Sequence, residues 1–282
     1  MIDAGQDTVE NYKGCVIQHG HYNARIYLIK ITSLPSPGFP RELIEMAKIN
    51  GYSKIFAKVP ESLAKDFSIT GFRKEAGVPG FFAGKEAAVF LGYYLSTERF
   101  KEKDGNKLSE ILQMTLRRKQ EDKLPELDKK FIVRKCGRSD TTAMAKIYKE
   151  VFTSYPFPIH NPDYLLETMQ SHTDYFGVET GGTLVALSSS EKDNAGANAE
   201  MTDFATLPRW RGNHLGQYLL AQMEIEMKRK GIITAYTIAR AMSPGMNITF
   251  RKAGYKYGGR LKNNTNISGK IESMNVWFKK FV

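Results

Sequence analysis

Thr206-Leu-Pro-Arg-Trp-Arg-Gly-Asn-His-Leu-Gly-Gln-Tyr-Leu-Leu220 reads as a strand end, a tight turn at Arg211-Gly212 and the start of a long amphipathic helix. Before it, Glu200-Met-Thr-Asp-Phe-Ala-Thr-Leu207 is rich in apolar and β-branched residues, as a strand requires. After it, Leu215, Leu219, Leu220, Met223, Ile225 and Met227 mostly recur at helical spacing. Lys228-Arg229-Lys230 then sets positive charge over the helix C-terminus, and Gly231 tolerates a left-handed cap. A strand that feeds a helix N-terminus through a glycine turn offers unpaired N–H groups to an anion, so a phosphate is the expected ligand.

Bulk properties narrow the class. The chain has 282 residues, enough for one large domain or two modest ones, with 41% apolar and 25% charged residues. No run of about 18 apolar residues argues for a membrane helix. The first seven residues lack the basic and apolar regions of a secretory signal. Cys15 and Cys136 stand far apart without metal-ligand spacing, so no metal and a reducing cytoplasm are expected. The net charge of +11 is scattered along the chain, and its dense patch Arg117-Arg118-Lys119 runs straight into Glu121 and Asp122. That distribution suits a small polyanion better than a nucleic acid.

The pattern along the chain is α/β. Residues 119–130 are almost wholly polar and read as a link, giving an N-terminal accessory domain over 1–125 and a second domain over 131–282. In the second, residues 131–136 form a strand, Ser139 or Asp140 caps a helix to about Phe152, and Tyr155-Pro-Phe-Pro-Ile159 is a loop. A helix over 162–169, capped by Asn161, precedes a hairpin of 175–180 with 183–190 about Gly181-Gly182. Residues 191–199 read as a polar loop. After the quoted stretch come a strand (234–239), a helix (244–252) and two strands (255–261 and 272–281). The strand, short helix and aromatic strands within 54–95 repeat this closing order, so the first domain reads as a degenerate half copy. It lacks a counterpart of Arg211-Gly212.

Arg211-Gly-Asn-His-Leu-Gly216 resembles the R-x-x-G-x-G/A signature of the GNAT superfamily of acetyl-CoA-dependent N-acetyltransferases, with His214 at the middle glycine. The element order over 131–281 fits that superfamily, and Asn247-Ile-Thr-Phe-Arg-Lys-Ala-Gly-Tyr255 resembles its N-x6-G-F ending. The resemblance implies a mixed, mostly antiparallel sheet flanked by helices, with acetyl-CoA as cosubstrate. Tyr155-Pro-Phe-Pro-Ile159, Glu272-Ser-Met-Asn-Val-Trp277, His21-Tyr-Asn-Ala-Arg-Ile-Tyr27 and Gly51-Tyr-Ser-Lys-Ile55 look like the β-lysine acetyltransferases of methanogenic archaea and some bacteria. That closer likeness implies acetylation of the terminal amine of β-lysine. The product, N-ε-acetyl-β-lysine, would be a compatible solute in salt stress, and the β-lysine would come from a lysine 2,3-aminomutase.

An alkyl ammonium of pKa about 10.4 must lose a proton before it attacks a thioester. Glu200 and Asp203 are the candidate bases or amine anchors. A regular strand would turn them to opposite faces, and a β-bulge would change that phase. Backbone groups of Phe204, Ala205, Thr206 and Leu207 would meet the pantetheine arm. Arg211, Gly212, Asn213, His214, Leu215 and Gly216 would line the pyrophosphate, and Asn247 and Phe250 would flank the arm. The resemblance places a tyrosine proton donor where Phe250 stands. Solvent, Tyr255 or Tyr257 are the substitutes. For the acceptor, Tyr155, Phe157, His160, Asn264, Glu272, Asn275 and Trp277 are the expected lining, with Arg209 or Arg240 facing its carboxylate. A homodimer is compatible with this reading; a nucleic acid or membrane partner is not expected. The competing readings are transfer to another diamine, amino acid or protein lysine, and a non-catalytic acyl-CoA sensor, which the loss of the tyrosine at Phe250 would suit.

Overall fold

The computed structural model describes residues 7–121 and 123–281; residues 1–6, 122 and 282, and the expectations drawn on them, lie outside the described residues. In chain order, β1 (Thr8–Tyr12), β2 (Cys15–Gly20), β3 (Arg25–Ile31), α1 (Phe39–Ile49), β4 (Lys54–Pro60), α2 (Ala64–Ile69), β5 (Arg73–Phe82) and β6 (Glu86–Tyr94) come first. Next, α3 (Thr97–Phe100) and α4 (Gly105–Leu116) lead into the polar link. After it come β7 (Ile132–Lys135), α5 (Thr141–Val151), α6 (Pro162–Ser171), β8 (Thr173–Thr180), β9 (Thr183–Asp193) and β10 (Asn198–Thr206). The chain closes with α7 (Leu215–Arg229), β11 (Thr234–Arg240), α8 (Pro244–Lys252), β12 (Lys256–Ile267) and β13 (Lys270–Lys280).

Among the described residues 13 strands form one mixed sheet, ordered β1-β2-β3-β4-β6-β5-β12-β13-β11-β10-β9-β8-β7. Each half has the same connections. β3 and β4 run parallel across α1, as β10 and β11 do across α7. β4, β6 and β5 then pair antiparallel, as β11, β13 and β12 do. The likeness between the halves thus reaches back to β1–β3, further than the sequence pattern within 54–95.

α7 forms because Leu215, Leu219, Leu220, Met223 and Met227 share a buried face. Ile225 falls off that stripe and is exposed. Gly231, at φ +77°, ends the helix, and Ile232 N–H bonds back to Met227 C=O. Asn161 caps α6 by accepting from Asp163 N–H at 2.9 Å. Gly181 and Gly182 both have positive φ, as the tight β8–β9 hairpin demands. The link is tied down: Glu121 N–H donates to Lys252 C=O and Tyr218 Oη to Pro125 C=O.

One expectation is overturned. Residues 191–199 are mostly strand, because β9 runs on to Asp193 and β10 begins at Asn198. Small polar residues masked the pairing: Glu191 sits directly opposite Glu200. β12 and β13 also extend past their expected ends to meet across Ile267 and Lys270.

The halves join where β12 meets β5 through the pair Gly259↔Ala76. Only glycine fits there. Gly259 has φ +142°, and a Cβ on it would lie 2.2 Å from Glu75 O. Buried charges reinforce the seam. Lys54 pairs with Glu75 at 2.8 Å and donates to Lys262 C=O at 2.7 Å. Burial pushes the Lys54 ammonium down to about 8, against the pull of Glu75. Arg99 donates to the carbonyls of Asn23, Asn263 and Asn264. The sheet also curls. β4 and β11 stand five positions apart, about 24 Å in a flat sheet, yet Lys58 Nζ lies 3.2 Å from Tyr236 Oη. Gln18 donates to Pro156 C=O across the same gap, and Ala83 N–H to Gly196 C=O. The curled sheet encloses a cavity between the two halves.

Gly259→Ala is expected to cost at least about 2 kcal/mol in thermal or urea unfolding. Gly245→Ala, where a Cβ meets nothing within 4 Å, should be neutral or slightly stabilising. Equal effects of the two substitutions would contradict the packing at the seam.

Candidate active site

β10 and β11 are paired over only three residues, Asn198↔Thr234, Ala199↔Ala235 and Glu200↔Tyr236. Beyond these the strands part. A β-bulge is the cause: Thr202 pairs with Ser189 and Ala205 with Leu187, so Asp203 and Phe204 together face Ser188. Asp203 takes φ +54°, a left-handed conformation that costs a non-glycine residue about 1–2 kcal/mol. Side-chain bonds hold it there. Ser189 Oγ donates to Asp203 Oδ2 at 2.6 Å, and Tyr155 Oη to Oδ1 at 2.6 Å.

The gap between β10 and β11 is a cavity of about 700 Å³. Thr202, Asp203, Phe204 and Thr206 line one wall, and Thr237, Ile238, Ala239 and Arg240 the other. Its mouth is the quoted turn, with Trp210, Arg211, Gly212, His214, Leu215, Gly216 and Gln217. Gly212 and His214 both have positive φ, and among the described residues the N–H groups of Gly212, Asn213 and His214 have no acceptor. The first N–H groups of α7 lack intrahelical partners as well. The turn is therefore a cradle of backbone donors at a helix N-terminus, suited to a diphosphate. The parted strands expose main-chain donors and acceptors, suited to an amide-bearing arm. Both features fit coenzyme A.

A second cavity, of about 560 Å³, lies between the two halves of the chain. β3 and β4 supply Arg25, Tyr27, Phe56 and Lys58 to it, and β9, β10 and β11 supply Glu191, Glu200 and Tyr236. The proline loop adds Tyr155 and Phe157, and β12 adds Asn264. Tyr155, Thr202, Asp203, Ile238, Ile267 and Met274 line both cavities. The two spaces meet at the Tyr155–Asp203 hydrogen bond.

Three carboxylates converge here. Glu191 and Glu200 keep part of their surface toward the cavity, and Asp203 is 7% exposed. Burial raises Glu191 well above the ordinary glutamate range, and the charges of Asp203 and Glu200 add to it. Burial also raises Glu200, opposed by the nearby Lys58 ammonium and Tyr236 hydroxyl. Burial raises Asp203, opposed by Ser189, Tyr155 and Thr202. Such a cluster is unfavourable empty and favourable around an ammonium. Glu191 was not among the expected site residues. Its sequence context, Ser188-Ser-Ser-Glu191, disguised a strand position opposite Glu200.

Several expected site residues sit elsewhere. Asn247, Asn275 and Trp277 are fully buried. Asn247 Oδ1 accepts from Asn275 Nδ2 and Trp277 Nε1, each at 2.8 Å, and Asn247 Nδ2 donates to the carbonyls of Arg240 and Ser243. These three side chains lock α8 to β13 and reach neither cavity. Glu272 is turned to another face, where it binds Arg240 in a bidentate pair at 2.8 and 2.5 Å. That pair also removes Arg240 as a carboxylate receptor. Arg209 lies over Trp210 on the surface. His160 is half-buried outside both linings, and burial lowers its imidazole. Ala205 and Leu207 point into the core, and Asn213 Nδ2 bonds Trp210 C=O. Phe250 is fully buried on the first cavity's wall, edge-on to Phe204 and Tyr255. Tyr255 is wholly buried and Tyr257 packs edge-on to Trp277, so neither hydroxyl reaches the meeting point. The hydroxyl that does is that of Tyr155. Among the described residues no group of side chains has metal-site geometry, and no helix is long and apolar enough to cross a membrane.

Comparisons with known proteins agree with this geometry. The family model for the acetyltransferase (GNAT) family matches residues 141–247. A β-lysine N(6)-acetyltransferase of Methanococcus maripaludis is 36% identical over 94% of this chain and 95% of its own. The N-acetyltransferase YodP of Bacillus subtilis is 31% identical over 94% of this chain and 95% of its own. A β-lysine N(6)-acetyltransferase of Methanosarcina mazei is 32% identical over 79% and 90% respectively.

The carboxylate cluster has a consequence for stability. A glutamate whose folded pKa is raised favours the unfolded state progressively as pH climbs from its ordinary value, near 4.5, to the raised one. Glu191→Gln should therefore raise Tm at pH 7.5, and the gain should shrink as pH falls toward 4.5. A lower Tm, or a gain independent of pH, would show that Glu191 is not strained by its neighbours.

Proposed function

Since the chain belongs to the β-lysine N-acetyltransferases of the GNAT family, we propose that it transfers the acetyl group of acetyl-CoA to the terminal amine of β-lysine. Family membership makes it an acetyl-CoA-dependent N-acetyltransferase. The observation that carries the acceptor assignment is the second cavity, acidic along β9 and β10 and open to the first at Asp203. A diamino acid matches that lining. One amine reaches the junction, and the other ammonium rests against Glu191 and Glu200.

In this reading the donors of Gly212 to Gly216 hold the pyrophosphate, and the unpaired edge of β10 from Phe204 to Thr206 bonds the pantetheine amides. Acetyl-CoA supplies an activated acyl group at the point where the cavities meet. Asp203 takes the proton of the attacking amine. Its raised pKa narrows the gap to the ammonium, and the bonds from Ser189 and Tyr155 fix its direction. Glu200, beside the Tyr236 hydroxyl and the Lys58 ammonium, serves as an amine anchor. Phe250 provides no proton, but a thiol of pKa about 8.5 leaves as thiolate and is protonated by solvent. We read residues 131–282 as the catalytic domain and residues 1–125 as an accessory domain that closes the acceptor cavity. The product keeps one ammonium and one carboxylate and has no net charge, which suits a compatible solute accumulated in the cytoplasm.

Incubation with acetyl-CoA and β-lysine should release free thiol and yield a product carrying one acetyl group on the terminal amine, located by NMR. Release with a different amine and none with β-lysine would overturn the acceptor; release with none would favour a sensor. Asp203→Asn should lower kcat by about 10²–10⁴ and remove the limb of the pH profile on which activity rises as the carboxylate ionises. A near-normal Asp203→Asn with that limb intact, beside an inactive Glu200→Gln, would move the base to Glu200.

A further inference from the structure

Arg25 stands on β3 in the N-terminal half and is 3% exposed, on the wall of the acceptor cavity. Its Nη1 donates to Asn264 C=O at 2.5 Å and to Thr265 Oγ1 at 3.1 Å, which fixes the plane of the guanidinium. Tyr27 and Phe56 pack beneath it, their ring centroids 5.3 and 5.9 Å from Cζ. Its Nε is buried without an acceptor. Among the described residues Nη2 has none either, and no carboxylate forms an ion pair with Arg25. Asp7 is close enough to act on its charge, but the Asp7 carboxylate bonds Asn23.

The neighbouring cations are all engaged. Lys54 is paired with Glu75, Arg99 is spent on backbone carbonyls and Ser53, and Lys58 faces Tyr236 and offsets Glu200. A buried guanidinium with one edge unmatched is costly unless a ligand completes it. The matching group is planar and anionic, since a free N–H pair of a guanidinium binds a carboxylate in a fork. The cavity thus carries charge of both signs, with carboxylates on β9 and β10 and a guanidinium on β3.

We propose that Arg25 receives the carboxylate of the acceptor, so that the N-terminal half of the chain selects an amino acid over a plain diamine. This deepens the acceptor reading above and rests on it. Arg25 binds the end of the substrate remote from the reacting amine, and it acts on specificity by fixing how far the acceptor enters. The sequence alone pointed to Arg209 or Arg240 for this role; both lie off the cavity's acidic wall, and Arg240 is already paired.

The test compares β-lysine with 1,4-diaminopentane, which has the same amines and lacks the carboxylate. The unaltered protein should prefer β-lysine in kcat/KM by about 100-fold, the effect of one or two charge-assisted hydrogen bonds. Arg25→Gln should raise KM for β-lysine about 100-fold, hold KM for acetyl-CoA and bring the kcat/KM ratio of the two acceptors toward one. Arg25→Lys should recover part of the preference, which a merely structural arginine would not predict. A preference that survives Arg25→Gln overturns the proposal, as does equal loss with both acceptors in a variant that still binds acetyl-CoA. If the unaltered protein acetylates a different amino acid, the same ratio is taken with that acceptor and its decarboxylated analogue, so the failure of β-lysine and the failure of Arg25 are read separately. A best acceptor without a carboxylate would overturn the proposal outright.

Discussion

The bulge at Asp203 is the constraint on which the rest of this structure depends. One residue in the left-handed region, opposed with Phe204 to a single serine, ends the pairing of β10 with β11 and opens a cleft between parallel strands. The same turn moves Asp203 off the phase that strand alternation would give it, so that it lines the same cavity as Glu200. Strain of about 1–2 kcal/mol is stored at this point. It persists because Ser189 and Tyr155 hold both carboxylate oxygens, and those bonds also aim the group between the two cavities. A cleft, a carboxylate and a junction thus have one local cause.

The second cavity has a different origin. Neither half of the chain encloses it alone. The glycine seam at Gly259 lets β5 and β12 meet, and the sheet then curls until β4 touches β11. The buried ion pair of Lys54 with Glu75 and the carbonyl contacts of Arg99 satisfy the polar groups that this curl removes from water. Two of the polar atoms left without a partner, Arg25 Nε and Asn264 Oδ1, belong to residues that line the cavity, as do the carboxylates of Glu191, Glu200 and Asp203. An enclosed space lined by charge of both signs suits a ligand that carries both.

Much of this was legible in the sequence, for reasons that can be named. The α7 stripe, the glycine turns at 181–182 and the cap at Asn161 are local patterns that tertiary packing did not override. The turn at Arg211–Gly216 was recognisable because a helix N-terminus after a glycine turn has only a few uses. Residues whose role depends on contacts distant in sequence were not legible. Glu191 looked like loop until β9 was seen to continue opposite Glu200. Asn247, Asn275 and Trp277 matched the expected positions in sequence, yet they bond one another in the core. Arg25 lay within the stretch 21–27 that carried the resemblance, but nothing local gave it a role, because its partners belong to a half of the chain more than 200 residues away.

The most direct test of the bulge as organiser is a crystal structure with a bisubstrate analogue, coenzyme A joined through an acetyl-like bridge to the terminal nitrogen of β-lysine. The pantetheine arm is expected between β10 and β11, with the bridging nitrogen within hydrogen-bond distance of an Asp203 carboxylate oxygen. An arm lying outside that cleft, or a nitrogen held at Glu191 and Glu200 away from Asp203, would contradict the account.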